Sequence, residues 1–149
     1  MSASAPGLTV IVSRASAKSR EALSDGEDEA AAWLEAIWSG SRSNDRECVT
    51  CGRTGALQDN HLASGRHGEL TVPQCQPCHQ GFTEGQDLWD ARWWSAVRSP
   101  ELDDSLLLRG LYDLLRQRAR FIPGSRRGAY LSLADYLREQ YALAAARTI

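Results

Sequence analysis

Residues 48–86 read CVTCGRTGALQDNHLASGRHGELTVPQCQPCHQGFTEGQ. Two CxxC pairs, Cys48/Cys51 and Cys75/Cys78, enclose a glycine-punctuated loop that holds His61 and His67, and His79 follows the second pair directly. These are all the cysteines and all the histidines in the chain. Concentrating every soft metal ligand in one short segment makes it the seat of function and the reading on which the fold depends. Two CxxC pairs can supply four thiolates to one tetrahedral zinc, each pair meeting the ion from a tight turn. Gly52 suits the turn after the first pair. The 23 residues between the pairs leave room for a hairpin that the two turns would pin together. Such a zinc contributes on the order of 10 kcal/mol at neutral pH, and a segment this polar depends on it to fold.

Other readings of the cysteines explain less. A redox CxxC needs one reactive pair in a thioredoxin-like βαβ setting, which is absent here. Cys75-Gln-Pro-Cys78-His79 also matches the c-type haem attachment pattern. Haem attachment requires export and leaves Cys48 and Cys51 without a role.

The rest of the composition sets bounds. A chain of 149 residues suits one domain, or a small domain with an extension. Its 42% apolar content permits a packed core, with five Trp, four Tyr and two Phe as large anchors. No apolar run approaches the roughly 20 residues that span a bilayer, and residues 8–12 are too short for a secretory apolar region. The expectation is a cytoplasmic protein with no membrane partner, where thiols stay reduced and bind metal. A net charge of −2 does not advertise nucleic-acid binding. The charge is uneven, however. Acids crowd residues 21–35, whereas Arg109, Arg116, Arg118, Arg120, Arg126 and Arg127 face one acid, Asp113, across residues 109–127. A weakly acidic protein can still present a basic face.

Four segments are expected. Residues 1–23 form a flexible lead, with one short strand at 8–12. Residues 24–40 hold an acidic, Trp-bearing helix over 26–38, capped by Ser24-Asp25, with Trp33, Leu34, Ile37 and Trp38 at helical spacing. Residues 41–86 are the metal module, with short strands near 57–62 and 70–72 and a break at Pro73. Residues 87–149 are helical. Thr83-x-x-Gln86 reads as a capping box opening a helix over 84–97, either a new element or the continuation of one beginning at Cys78. Ser99-Pro100 restarts the chain into a leucine-striped helix that runs to Ile122 and stops at Pro123-Gly124. A last helix covers 132–146.

The segment from Cys48 to Gln86 resembles the HNH endonuclease family in its small, zinc-knuckle form. CVTCGR, DNHLASGRH and LTVPQCQPCHQGFTEGQ fall in the family's order, over about a quarter of the chain. The resemblance implies an α+β, mainly helical protein. Its centre would be a small ββα-metal, treble-clef-like zinc module, and the helices read from periodicity flank it, one N-terminal and a C-terminal set of about three. It implies metal-dependent cleavage of DNA phosphodiesters, and a phage or mobile-element setting. By position, His61 resembles the general base and His79 a ligand of a catalytic divalent ion (Mg²⁺, Mn²⁺, Ni²⁺ or Zn²⁺). Cys48, Cys51, Cys75 and Cys78 match the structural zinc quartet. Two positions depart from the pattern. The residue before the base is usually His or Asp and is here Asn60, whose amide oxygen ligates hard ions without adding charge. Asp59 is the nearest substitute. The family's middle Asn has no clear counterpart.

Chemically, His61 would take a proton from water and Arg66 would clamp phosphate through its guanidinium. Each residue has a plainer competing role. His61 as a turn residue, His79 as a zinc ligand or helix cap, His67 as a solvated loop residue and Arg66 as a surface ion pair all fit the spacing. The tryptophans fit a core as well as base stacking, and the arginine group fits a solvated helix face as well as a phosphate track.

Overall fold

The computed structural model describes residues 25–39, 47–63, 70–89, 92 and 100–148. The expected lead at 1–23 with its strand, the Ser24 cap, Arg66, His67, Trp93 and Trp94 lie outside the described residues. In chain order, α1 is Asp25–Ser39, β1 is Gln58–His61, β2 is Thr71–Gln74, α2 is Gln76–Gln86, α3 is Pro100–Ala119 and α4 is Arg126–Thr148. The protein is mainly helical, with one two-stranded antiparallel sheet in which Gln58 faces Gln74 and His61 faces Thr71. No helix among the described residues is long and apolar enough to cross a membrane.

Helical periodicity explains the frame. On α1, Ala30, Leu34 and Ile37 are buried at spacings of four and three. The leucine stripe of α3 buries Leu102, Leu106, Leu111, Leu114 and Leu115, and α4 contributes Tyr130, Leu133, Ala134 and Leu137. α4 packs along both α3 and α1. One core joins these helices to Leu62, Val72, Phe82 and Trp89, so the metal-bearing segment shares its hydrophobic interior with the helical region. Trp33 lies edge-on to Tyr130, with ring centres 5.7 Å apart.

Four local expectations need correction. α4 begins at Arg126, six residues before the expected start at 132. Gly124, at φ +62°, turns the chain. Arg127 Nε then donates to the Ile122 carbonyl, and Arg126 Nε donates to Glu29 at 2.7 Å. That contact holds the Glu29 carboxyl below its ordinary range. Polar residues that read as loop are thus fixed by one partner distant in sequence, Glu29, and by one nearby carbonyl, that of Ile122. α3 ends at Ala119, short of Ile122, because the amides of Arg120, Phe121 and Ile122 bond to carbonyls three residues back and tighten the chain out of the α-helix. Thr83 does not cap a new helix. It sits inside α2, where its carbonyl accepts the Asp87 amide. Pro73 does not break the strand, because β2 belongs to a two-stranded sheet with room for a residue lacking N–H.

Gly110 marks where α3 meets the metal module. A Cβ built there would lie 2.8 Å from the Leu62 carbonyl carbon and closer still to its oxygen. The bare helix face lets α3 press against backbone one residue after His61. In an unconstrained helix, Gly→Ala stabilises by roughly 0.5–1 kcal/mol. Here Gly110→Ala is expected to destabilise by about 1–3 kcal/mol through overpacking. Urea denaturation reads the sign directly, and a variant as stable as the parent would refute this close approach.

Candidate metal centre and the histidines beside it

The first cysteine pair sits in a tight turn. The Gly52 amide donates to the Cys48 carbonyl and the Cys48 amide to the Arg53 carbonyl, each at 2.9 Å. Gly52 adopts φ +79°, a conformation that side chains disfavour. The Val49 amide donates to the Pro73 carbonyl at 2.9 Å, which ties this turn to β2. The second pair spans the start of α2. Cys75 is the N-cap residue but makes no side-chain cap bond, so its sulfur is left to the cluster. Proline in the first turn, where no intrahelical N–H donor is needed, favours this helix start.

The four sulfurs all lie within 4.8 Å of one another, and Cys51 Sγ is 3.7 Å from Cys75 Sγ. A tetrahedral zinc with bonds of about 2.3 Å needs sulfurs about 3.8 Å apart. The donor set therefore fits zinc in chemistry and spacing, and these residues could hold a structural metal. Cys48, Cys75 and Cys78 are buried. Burial raises the Cys48 thiol, but the backbone amides of Cys51, Cys75 and Thr50 outweigh it and bring Cys48 down to about 7. Burial pushes Cys78 up, reinforced by Cys75 and Cys48. It raises Cys51 as well. Four thiols packed this closely tolerate little negative charge by themselves, whereas a divalent cation lets each of them ionise.

Beside this cluster, α2 carries His79. Its Nδ1 lies 2.7 Å from Gln58 Oε1 on β1. With the amide oxygen accepting, Nδ1 carries the proton and Nε2 keeps a lone pair for a metal or a proton. Sequence reasoning missed Gln58. The available signal was strand alternation, which puts Gln58 and Asn60 on one face. His61 and Asp59 are exposed and occupy the other face of β1. Among the described residues, the four cysteines form the one group of three or more metal-ligating side chains. Asp59, His61 and His79 are not gathered into another.

Asn60 is 3% exposed and lies at one end of a buried relay of amides. Gln117 Nε2, on α3, donates to the Cys78 carbonyl at 2.8 Å, and a carbonyl can only accept. Gln117 Oε1 must then face the other way, where it accepts Gln74 Nε2 at 3.0 Å. Gln74 Nε2 also donates to Thr50 Oγ1 at 2.7 Å. Gln74 Oε1 is left to accept Asn60 Nδ2, also at 2.7 Å. The relay dictates every amide orientation along it and leaves Asn60 Oδ1 as the free end. It also docks both cysteine turns on α3. Two further contacts hold the first turn. Trp33 Nε1 donates to the Val49 carbonyl, and Arg118 Nη1 donates to the Thr50 carbonyl. No residue of this relay except Asn60 carries a sequence signal, since isolated glutamines in a strand and a helix show no motif.

No protein-family model, curated protein or solved structure matches the chain.

Gln117→Leu removes the donor to Cys78 and the acceptor for Gln74 while keeping the volume. Unpaired buried polar groups cost about 1–3 kcal/mol each, so a loss of at least that size is expected in chemical denaturation. Unchanged stability would show that the relay does not hold the module to α3.

Proposed function

We propose that the chain is an HNH-type, metal-dependent endonuclease that hydrolyses DNA phosphodiester bonds. One observation carries this reading. The strand bearing His61, its antiparallel partner and the helix bearing His79 follow one another as ββα, with a four-cysteine cluster at the strand–helix junction. The motif order from Cys48 to Gln86 supports it, as does a treble-clef-like reading of the two cysteine turns.

In this reading the four cysteines hold an inert zinc that shapes the module. His61, exposed on β1, accepts a proton from the attacking water. His79, with Gln58 fixing its tautomer, offers Nε2 as a ligand, and Asn60 Oδ1 or Asp59 supplies oxygen. A divalent ion bound there would supply positive charge to the phosphate and to the departing oxygen. Arg66 is the candidate phosphate clamp.

A second reading rests on a specific observation. Asn60 brings no charge and is largely buried, and no carboxylate joins His79 in a ligand group among the described residues. This favours a catalytically inactive zinc module that binds nucleic acid or a protein partner. A plasmid-nicking assay with Mg²⁺, Mn²⁺, Ni²⁺ and Zn²⁺ separates the two readings. The parent is expected to nick. His61→Ala should lose nicking by about 10²-fold or more, the usual scale for a general base, while keeping its zinc and its fold. Equal cutting by His61→Ala would remove His61 from the mechanism, and no cutting with any metal would favour the inactive module.

A further inference from the structure

α2 and α3 border a groove of about 420 Å³ that Arg138 of α4 also lines. Its α2 wall carries Gly81 and Gly85, so little side chain fills it. Its α3 wall carries Arg109, Tyr112, Arg116 and Arg120. The one acid in the lining, Asp113, is already engaged. Its Oδ2 accepts Trp89 Nε1 at 2.7 Å and its Oδ1 accepts Arg109 Nε at 3.1 Å. Arg116, Arg120 and Arg138 are exposed, and none of them pairs with an acid among the described residues. The chain as a whole carries a net charge of −2, so this positive charge is local to the groove.

The spacing distinguishes possible ligands. Arg109, Arg116 and Arg120 recur at intervals of seven and four residues, which returns them to one face of α3. At 1.5 Å per residue the row is about 16 Å long. A site for one compact anion would converge its guanidiniums on a point, whereas these form a line. A DNA duplex carries one phosphate per strand about every 3.4 Å of its axis, so a row of this length runs past several phosphates. Tyr112 lies between two of the arginines, with the Arg109 and Arg116 guanidiniums 5.6 and 5.7 Å from its ring centre. The ring thus holds both guanidiniums beside it and helps fix their place along α3.

The geometry points to this groove, walled by α2 of the HNH-like module and by α3, as a track for the phosphodiester backbone of a nucleic-acid strand. The inference builds on the proposed action on DNA and assigns the binding of its substrate to α3 and α4. Contacts to phosphate alone predict binding that is indifferent to sequence and strongly dependent on salt.

The test is fluorescence anisotropy of a short labelled DNA duplex and of its single strand across a salt series. Arg116→Gln, Arg120→Gln and Arg138→Gln are compared singly and together with Arg126→Gln, whose side chain lies outside the groove. Each groove variant should lower the slope of log K against log salt by about 0.9, and the triple variant should weaken binding roughly tenfold or more. Arg126→Gln should leave both unchanged. Slopes equal to the parent's would overturn the proposal. So would poly-glutamate displacing the labelled DNA as effectively as unlabelled DNA of equal charge, which would make the groove a site for acidic protein segments. The same samples go through the nicking assay. Groove-dependent binding without nicking by any metal sinks the nuclease reading alone, whereas nicking by the triple variant at the parent's rate in subsaturating DNA sinks the groove alone.

Discussion

Four cysteine sulfurs lie within 4.8 Å of one another and join the segments that enter and leave the small sheet at one point. The sheet they brace has two strands of four residues each. A lone two-stranded hairpin is marginal in water, and most side chains of β1 point to solvent. The cluster supplies what the sheet lacks. It fastens the turn at Cys48–Cys51 to the junction between β2 and α2, and so sets where β1 and the first turn of α2 can lie. His79 follows Cys78 directly, and its amide bonds to the Cys75 carbonyl, so the imidazole takes its position from the cysteines.

A second layer holds this braced unit against the helices. Gln117 reaches the Cys78 carbonyl from α3, Arg118 reaches the Thr50 carbonyl, and Trp33 of α1 reaches the Val49 carbonyl. Each helix thus takes hold of backbone in a cysteine turn. Arg118 also lies against the rings of Trp33 and Tyr130, at 6.0 and 5.7 Å from their centres, which joins α1, α3 and α4 at one cation. With Gly110 pressed on Leu62, α3 serves as the platform of the module, and the neighbouring face of the same helix lines the arginine groove. One helix connects the proposed chemistry to the proposed substrate track.

The sequence made some of this legible and left some hidden, for physical reasons. The cysteine pairs announced their cluster because metal ligation demands particular side chains at particular spacing. The stripe of leucines on α3 and the Trp33–Trp38 face of α1 were readable because burial imposes a 3.6-residue period. The strands near residues 58 and 71 fell close to where the glycines and Val72 suggested. Where local signals competed with distant partners, reading failed. Thr83 and Gln86 spell a capping box, yet the helix already started at Gln76 runs through them. Arg126 and Arg127 look like loop, yet Glu29 and the Ile122 carbonyl hold them at the start of a helix. Gln74 and Gln117 are glutamines without pattern, and their roles arise only when β2 and α3 meet. At the candidate site, His61, His79 and the cysteines stood out by residue type, whereas the bonds that orient His79 and Asn60 did not.

That a metal held by the four cysteines maintains the module is a claim that amide hydrogen exchange can settle, by comparing zinc-loaded with chelator-stripped protein. The loaded protein should carry one zinc per chain and protect the amides of Val49, Asn60 and Val72. Stripping should erase that protection by orders of magnitude, given a binding free energy on the order of 10 kcal/mol. Equal protection of those amides with and without the metal would contradict the claim.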